Sequence, residues 1–237
     1  MVSSKAEPRV RTPGRAPGPL RLAFTRAVHD WYYGLIPFGV MNLLWLVSVL
    51  TVVAGPPATA AMLAVARDAV AGVTDDPGHF FSYVRRFFWR AWGLGLITFL
   101  GSVILVTDMF FYAGLVSGNS LLSSMGVFFL LYVLIVWIEV LLIAWPLSVD
   151  RPNMPVRDVL RNAAILTLRS PGANFGLALI VIFLFVVSFS VAVILAMAFA
   201  VIIALLVQHY LHLQAPVLAN FPESPGEEAV QVEGAQW

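Results

Sequence analysis

Residues 80–113 read FFSYVRRFFWRAWGLGLITFLGSVILVTDMFFYA, and this stretch decides the fold. Arg85, Arg86 and Arg90 stand at its start, and residues 91–107 then carry no charge at all. A helical run of about 20 apolar residues crosses the ~30 Å hydrocarbon core of a bilayer. Basic residues at one end of such a run mark its cytoplasmic side. The rest of the chain repeats the pattern: every Lys and Arg lies before Gly34, between Arg67 and Arg90, or between Arg151 and Arg169. The stretches between these three patches are long, apolar and nearly free of charge.

Composition agrees. Hydrophobic residues make up 60% of the 237 and charged residues 11%, with a mean hydropathy of +0.88. A soluble domain carries about 25% charged and about 45–50% apolar residues, so a soluble chain of this composition could not cover its own core. The expected fold is all-α, a polytopic helical membrane protein with the lipid bilayer as its first partner. The formal net charge of +1 hides segregation. Lys5, Arg9, Arg11, Arg15, Arg21 and Arg26 crowd the N-terminus, whereas the C-terminal tail holds Glu223, Glu227, Glu228 and Glu233 without Lys or Arg. The absence of cysteine excludes disulfides and thiolate chemistry.

Residues 1–19 read as a disordered basic arm, 20–213 as a helical transmembrane domain and 214–237 as a disordered acidic tail. No cleavable signal peptide is expected, because the basic start runs into Pro13, Gly14, Pro17, Gly18 and Pro19 before any apolar run. An amphipathic helix from Leu20 would place Leu20, Phe24 and Val28 on its apolar face. The first span covers residues 38–54 and ends at Gly55-Pro56-Pro57, where two prolines suit only the first turn of a new helix. Residues 58–72 then form a short return crossing or a re-entrant element. The positive-inside rule favours the crossing, since it returns Arg67 and Arg85 to the side of the basic N-terminus.

Asp75-Asp76-Pro77 signals a helix start. His79, Ser82, Arg86 and Arg90 fall on one stripe of that helix, with Phe81, Val84, Phe88 and Trp92 opposite. This describes an interfacial helix anchored by Phe81, Arg86, Phe88, Arg90 and Trp92, its arginines toward water or lipid phosphate. Spans at 91–113 and 121–147 follow, joined by an uncharged turn at 114–120. The device recurs at Pro155, whose helix carries Arg157, Asp158, Arg161 and Asn162 opposite Val156, Leu160 and Ala163. Residues 175–207 would make a helix of about 50 Å, too long for one bilayer, and split near Ser188-Phe189-Ser190. The count is about six membrane helical segments, or five if 175–207 is one tilted helix. Both termini and all three basic patches are expected in the cytoplasm.

The first third resembles a known family. Asn42-Leu43-Leu44-Trp45, the turn Gly55-Pro56-Pro57-Ala58-Thr59-Ala60-Ala61, the aromatic-basic segment 80–90 and Asp108-Met109-Phe110-Phe111 are similar to the YesL-type family of uncharacterised bacterial membrane proteins. That family usually has one proline after the glycine, and this chain has two. The likeness covers residues 31–112; beyond them only the spacing of spans agrees. It implies a bacterial plasma-membrane protein with an accessory role near carbohydrate uptake systems of the ABC type. It implies no established activity and no established site residues.

Candidate functional residues are few. Intramembrane carboxylates point to proton or ion chemistry, which singles out Asp108 and the deeper Glu139; the structural alternatives are local hydrogen bonding for Asp108 and neutral burial or pairing with Arg67 for Glu139. Asn42 and Trp45 sit in the first span, where Asn42 could hydrogen-bond across helices as packing glue. Gly55, Pro56 and Thr59 form a tight turn, read first as a structural hairpin and second as a partner dock. His209 and His212 share a helix face, but two histidines without carboxylates are a weak metal signal. No P-loop, dinucleotide turn or nucleophilic triad spacing is present, so no enzyme activity, cofactor or nucleic-acid partner is expected. Two functions remain: an accessory protein that binds an ABC-type transporter or other membrane proteins, and a small ion-coupled transporter using Asp108 and Glu139.

Overall fold

In the computed structural model, residues 18–73, 78–115, 121–190 and 198–214 are described, and their regular structure is entirely helical. Eight helices occur among them: α1 Pro19–Tyr33, α2 Leu35–Leu50, α3 Gly55–Val70, α4 His79–Leu115, α5 Leu121–Asp150, α6 Val156–Arg169, α7 Pro171–Ser190 and α8 Phe199–Leu213. The expected arm and tail, the Asp75-Asp76-Pro77 start and most of the 114–120 turn lie outside the described residues.

Helix α3 is the axis of the bundle. Pro56 and Pro57 in its first turn start it without losing a hydrogen bond. Ala58, Ala60, Ala61, Met62, Leu63, Ala64, Val65 and Ala66 are then buried on nearly every side by α2, α4, α5 and α8. Without a hydrophobic drive between helices in lipid, small side chains let backbones approach closely. The pairing of α3 with α4 shows it: a Cβ on Gly95 would lie 3.0 Å from Pro56. Gly34 does the same between α1 and α2, which meet at 98°, because any Cβ there would strike the Phe38 ring at 2.6 Å.

Helices α4 and α5 form an antiparallel hairpin that outgrows this bundle. Buried residues on α4 end at Leu94, and on α5 they begin at Glu139. No described side chain is buried between 95 and 114 or between 121 and 138. Those residues of α4 cover about 30 Å at ~1.5 Å per residue, one hydrocarbon thickness. Within the hairpin, Gly101 admits the Trp137 ring, whose Nε1 donates to Ser102 Oγ at 3.2 Å, and Gly126 admits the Tyr112 ring. The α2–α3 turn stops far short of the hairpin tip. Trp92 Nε1 donates to the Val53 carbonyl at 3.1 Å, so the turn rests against α4 where the hairpin leaves the bundle.

Six described helices (α2, α3, α4, α5, α7 and α8) answer to the expected segments. Three contain stretches long and apolar enough to cross a membrane, at His79–Gly114, Ser124–Asp150 and Pro171–Ser188, and the bent pair α1–α2 would add a fourth. At 16, 16 and 15 residues, α2, α3 and α8 are each too short alone. Ser188, Phe189 and Ser190, where the division of residues 175–207 is expected, are still helical in α7; the chain is out of the helix at Ala198, just before α8, and 191–197 lie outside the described residues. The segment expected as an interfacial helix running into the span at 91–113 is continuous with that span in the 37-residue α4.

Burial picks out one side of each amphipathic helix, and on α6 it differs from the expected division. Helix α1 buries Ala23 and Ala27, leaving Phe24 and Val28 exposed. Helix α4 buries Phe80, Phe87, Ala91 and Leu94 against the bundle and leaves the expected anchor Phe81 exposed. Helix α6 keeps Arg157 and Arg161 outside as expected but turns Asn162 inward with Val159 and Leu166.

Candidate functional site

Short helices packed inside a bundle bring backbone ends away from water, and each end leaves up to four N–H or C=O groups without intrahelical partners. Side chains from distant helices meet that demand here. Helix α8 begins after Ala198 with no side-chain cap of its own. Asn42, fully buried on α2, supplies one: its Oδ1 accepts the Ala200 N–H at 2.7 Å and the Val201 N–H at 3.3 Å. These are the second and third helical residues, the pair a local cap would serve. At the end of α6, Asn174 Nδ2 donates to the carbonyls of Leu166 and Thr167, while its Oδ1 accepts the Tyr210 hydroxyl at 2.7 Å.

The C-terminus of α5 is held by two guanidiniums. Arg90 on α4 donates through Nε to Ser148 O at 3.0 Å, through Nη1 to Pro152 O at 2.8 Å and through Nη2 to Arg151 O at 2.9 Å. Arg67 on α3 adds Nη1 to Val149 O at 3.1 Å. Cations suit a helix C-terminus both as donors and through the helix dipole. Arg67 turns its Nε and Nη2 to Asp68 Oδ1 at 3.0 and 2.8 Å, and the other Asp68 oxygen accepts the Tyr83 hydroxyl. Gln208 Nε2 donates to Leu63 O at 3.2 Å, and His209 Nε2 meets Asp30 Oδ2 at 2.6 Å. Arg67 is therefore engaged by Asp68 and α5, and of the alternatives for Glu139 the pairing with Arg67 is not made.

The residues singled out from sequence separate into distinct places. Trp45 and Thr59 come together, Trp45 Nε1 donating to Thr59 Oγ1 at 3.2 Å, on the wall of an apolar groove of about 300 Å³ between α2, α3, α4, α5 and α8. Gly55 is buried and Pro56 packs on Gly95, so this turn joins helices inside the bundle and offers no exposed dock. Asp108 lies in the outer hairpin beside Tyr112, Gly126 and Phe129. Glu139 is buried where α5 enters the bundle. Ten residues of α5, about 15 Å of helix, separate Phe129 from Glu139, so the two carboxylates share no site. Phe81 and Arg86 are exposed and Phe88 half-buried, as surface anchors would be. Arg90 and Trp92 are instead bonded to carbonyls within the protein.

Sequence reading missed Asp68, Tyr83, Asn174 and the capping role of Arg90. Asn174 carried a visible signal, a lone amide in the apolar run that opens α7; the others did not, because no motif names the Asp68–Tyr83 pair, which joins α3 to α4, or the backbone carbonyls that Arg90 meets. Among the described residues, no group of three or more His, Asp or Glu is placed to hold a metal ion.

Known proteins add one finding. The model of a family described as protein of unknown function, DUF624, matches residues 38–109. This region of similarity runs from α2 through α3 into the outer part of α4, including Asn42, Trp45, Gly55, Pro56, Thr59 and Asp108 but not Glu139. No curated protein and no solved structure matches the chain.

Proposed function

We propose that this is a non-enzymatic accessory protein of the bacterial plasma membrane, multi-pass with a cytoplasmic N-terminus, that binds other membrane proteins and serves a carbohydrate uptake system of the ABC type. The observation that carries the reading is the α4–α5 hairpin. It projects about one hydrocarbon thickness beyond the bundle with both flanks uncovered, Phe99, Ile104 and Phe110 on α4 and Phe128, Phe129 and Tyr132 on α5 all being exposed. Helices in lipid associate through shape and not through apolarity, so a long, ridged two-helix surface is suited to lateral docking. The YesL-type likeness of residues 31–112 supports the choice of an ABC-type partner. The rival, an ion-coupled transporter, draws no support from the placement of Asp108 and Glu139 in separate environments.

Copurification from native membranes in mild detergent tests the proposal. A transporter subunit should accompany the wild type and be lost when Phe110, Phe128 and Phe129 are replaced by alanine. Retention of the same partner by that variant would remove the hairpin from the argument. A solute flux in reconstituted vesicles that disappears in Glu139→Gln, under an imposed pH gradient, would replace the accessory reading with the transporter.

A further inference from the structure

We propose that the outward face of α6 binds the headgroups of anionic phospholipids, with Arg157, Arg161 and Arg169 on the phosphates and Ile165 and Leu168 at the acyl boundary. All five side chains are exposed. Steps of four, four and three residues lead from Arg157 through Arg161 and Ile165 to Leu168, which puts them on one stripe of the helix, with Arg169 one turn beyond Ile165. The opposite side, with Val159, Asn162, Ala163 and Leu166, is buried. Asp158 is the one acidic residue on α6, and it is half-buried. Among the described residues no carboxylate forms an ion pair with any of the three arginines. The exposed face is therefore cationic and is not neutralised within the protein. An exposed leucine by itself is ordinary. Isoleucine and leucine interleaved with arginines on one exposed stripe are the composition of a helix lying in a headgroup layer, where the guanidinium fork matches a phosphate.

Position selects a lipid surface over an acidic protein. Helix α6 is tied at both ends to helices long and apolar enough to cross a membrane. Asp150 ends one of them, five residues before Val156, and Ser170 alone separates Arg169 from Pro171, where the next begins. At 14 residues, about 21 Å, α6 is too short to cross between them. It stays near the membrane surface at which both neighbours end. Its level is fixed by α4. Val156 stands beside Gly93, where a Cβ would lie 3.9 Å from its Cγ2, and Arg90 holds the carbonyls of Arg151 and Pro152. The uncovered stretch of α4, one hydrocarbon thickness long, begins at residue 95. Helix α6 thus starts where hydrocarbon gives way to phosphate. Its outward face shares no residue with the outer hairpin assigned above to a protein partner, so the two surfaces are tested separately.

The test attaches a fluorophore to Leu168→Cys in the otherwise cysteine-free full chain and reconstitutes it in phosphatidylcholine vesicles. Phosphatidylglycerol or phosphatidylcholine is then added, each carrying the same nitroxide quencher high on one acyl chain. Phosphatidylglycerol should quench at the lower mole fraction. A basic residue near an anionic surface contributes about fivefold in binding, so Arg157→Gln and Arg161→Gln should each lower the preference about fivefold, and together about 25-fold. Equal quenching by the two lipids overturns the proposal, as does a preference that survives glutamine at all three arginines. Absence of quenching by either lipid overturns it too, and leaves the face to water or to an acidic protein. The comparison of the two lipids with all three arginines present decides the matter should a glutamine variant fail to fold.

Discussion

Replacing Asn42 with alanine should destabilise the fold through a helix that Asn42 does not belong to. The side chain is fully buried, and its oxygen receives two N–H groups of α8, at 2.7 and 3.3 Å. Losing an N-cap costs about 0.5–2 kcal/mol, and a buried donor left without an acceptor about 1–3 kcal/mol. The longer bond is the weaker, so about 2–3 kcal/mol is expected in total. For a chain of this size each kcal/mol moves the midpoint by about 2–4 °C, so Tm should fall by about 5–10 °C. Thermal unfolding in detergent, followed by far-ultraviolet circular dichroism, measures it. Asn42→Leu separates capping from packing: it preserves volume and adds apolar surface, yet should be as harmful as alanine because the N–H groups stay unpaired. Val47→Ala, an exposed change on the same helix, controls for α2 itself. A leucine variant that melts with the wild type would refute the capping argument.

Arg90→Gln should cost about 2–3 kcal/mol by releasing carbonyls of Ser148, Arg151 and Pro152, and Arg90→Lys should not restore it, since an ammonium cannot reproduce the guanidinium fork. Arg86→Gln, exposed on the same helix, should stay within about 0.5 kcal/mol; equal losses at both positions in the same melting assay would contradict this. Val52 holds a backbone φ of 59° in the α2–α3 turn, a conformation costing a β-branched residue about 1–2 kcal/mol, so Val52→Gly should raise stability by about 0.5–1 kcal/mol after its own entropy cost. A lowered midpoint would show that the turn is not strained. In this cysteine-free chain, a cysteine at Ser117 should react with an impermeant thiol reagent added to intact cells, and a cysteine at Val52 should not. Equal labelling would place the α2–α3 turn at the outer surface and refute its position short of the hairpin tip.

What the sequence determined by itself was the solvent and the class of fold. Basic charge confined to three patches, apolar runs between them and the double proline after Gly55 are local properties, and they sufficed for a helical membrane protein with a helix starting at Gly55-Pro56-Pro57 and a hairpin of α4 with α5. The face each helix buries was not legible. In a soluble helix polar residues mark the outside, but a helix in lipid is apolar on both sides, so Phe81 and Phe80 look alike in sequence although one is exposed and the other buried. The depth of the α2–α3 turn and the partner of each polar side chain were equally hidden. Asn42 meets Ala200 across 158 positions of chain, and Arg90 meets Arg151 across 61. Such bonds form because packing brings a helix end beside whatever side chain can satisfy it, and only the tertiary structure decides which one that is.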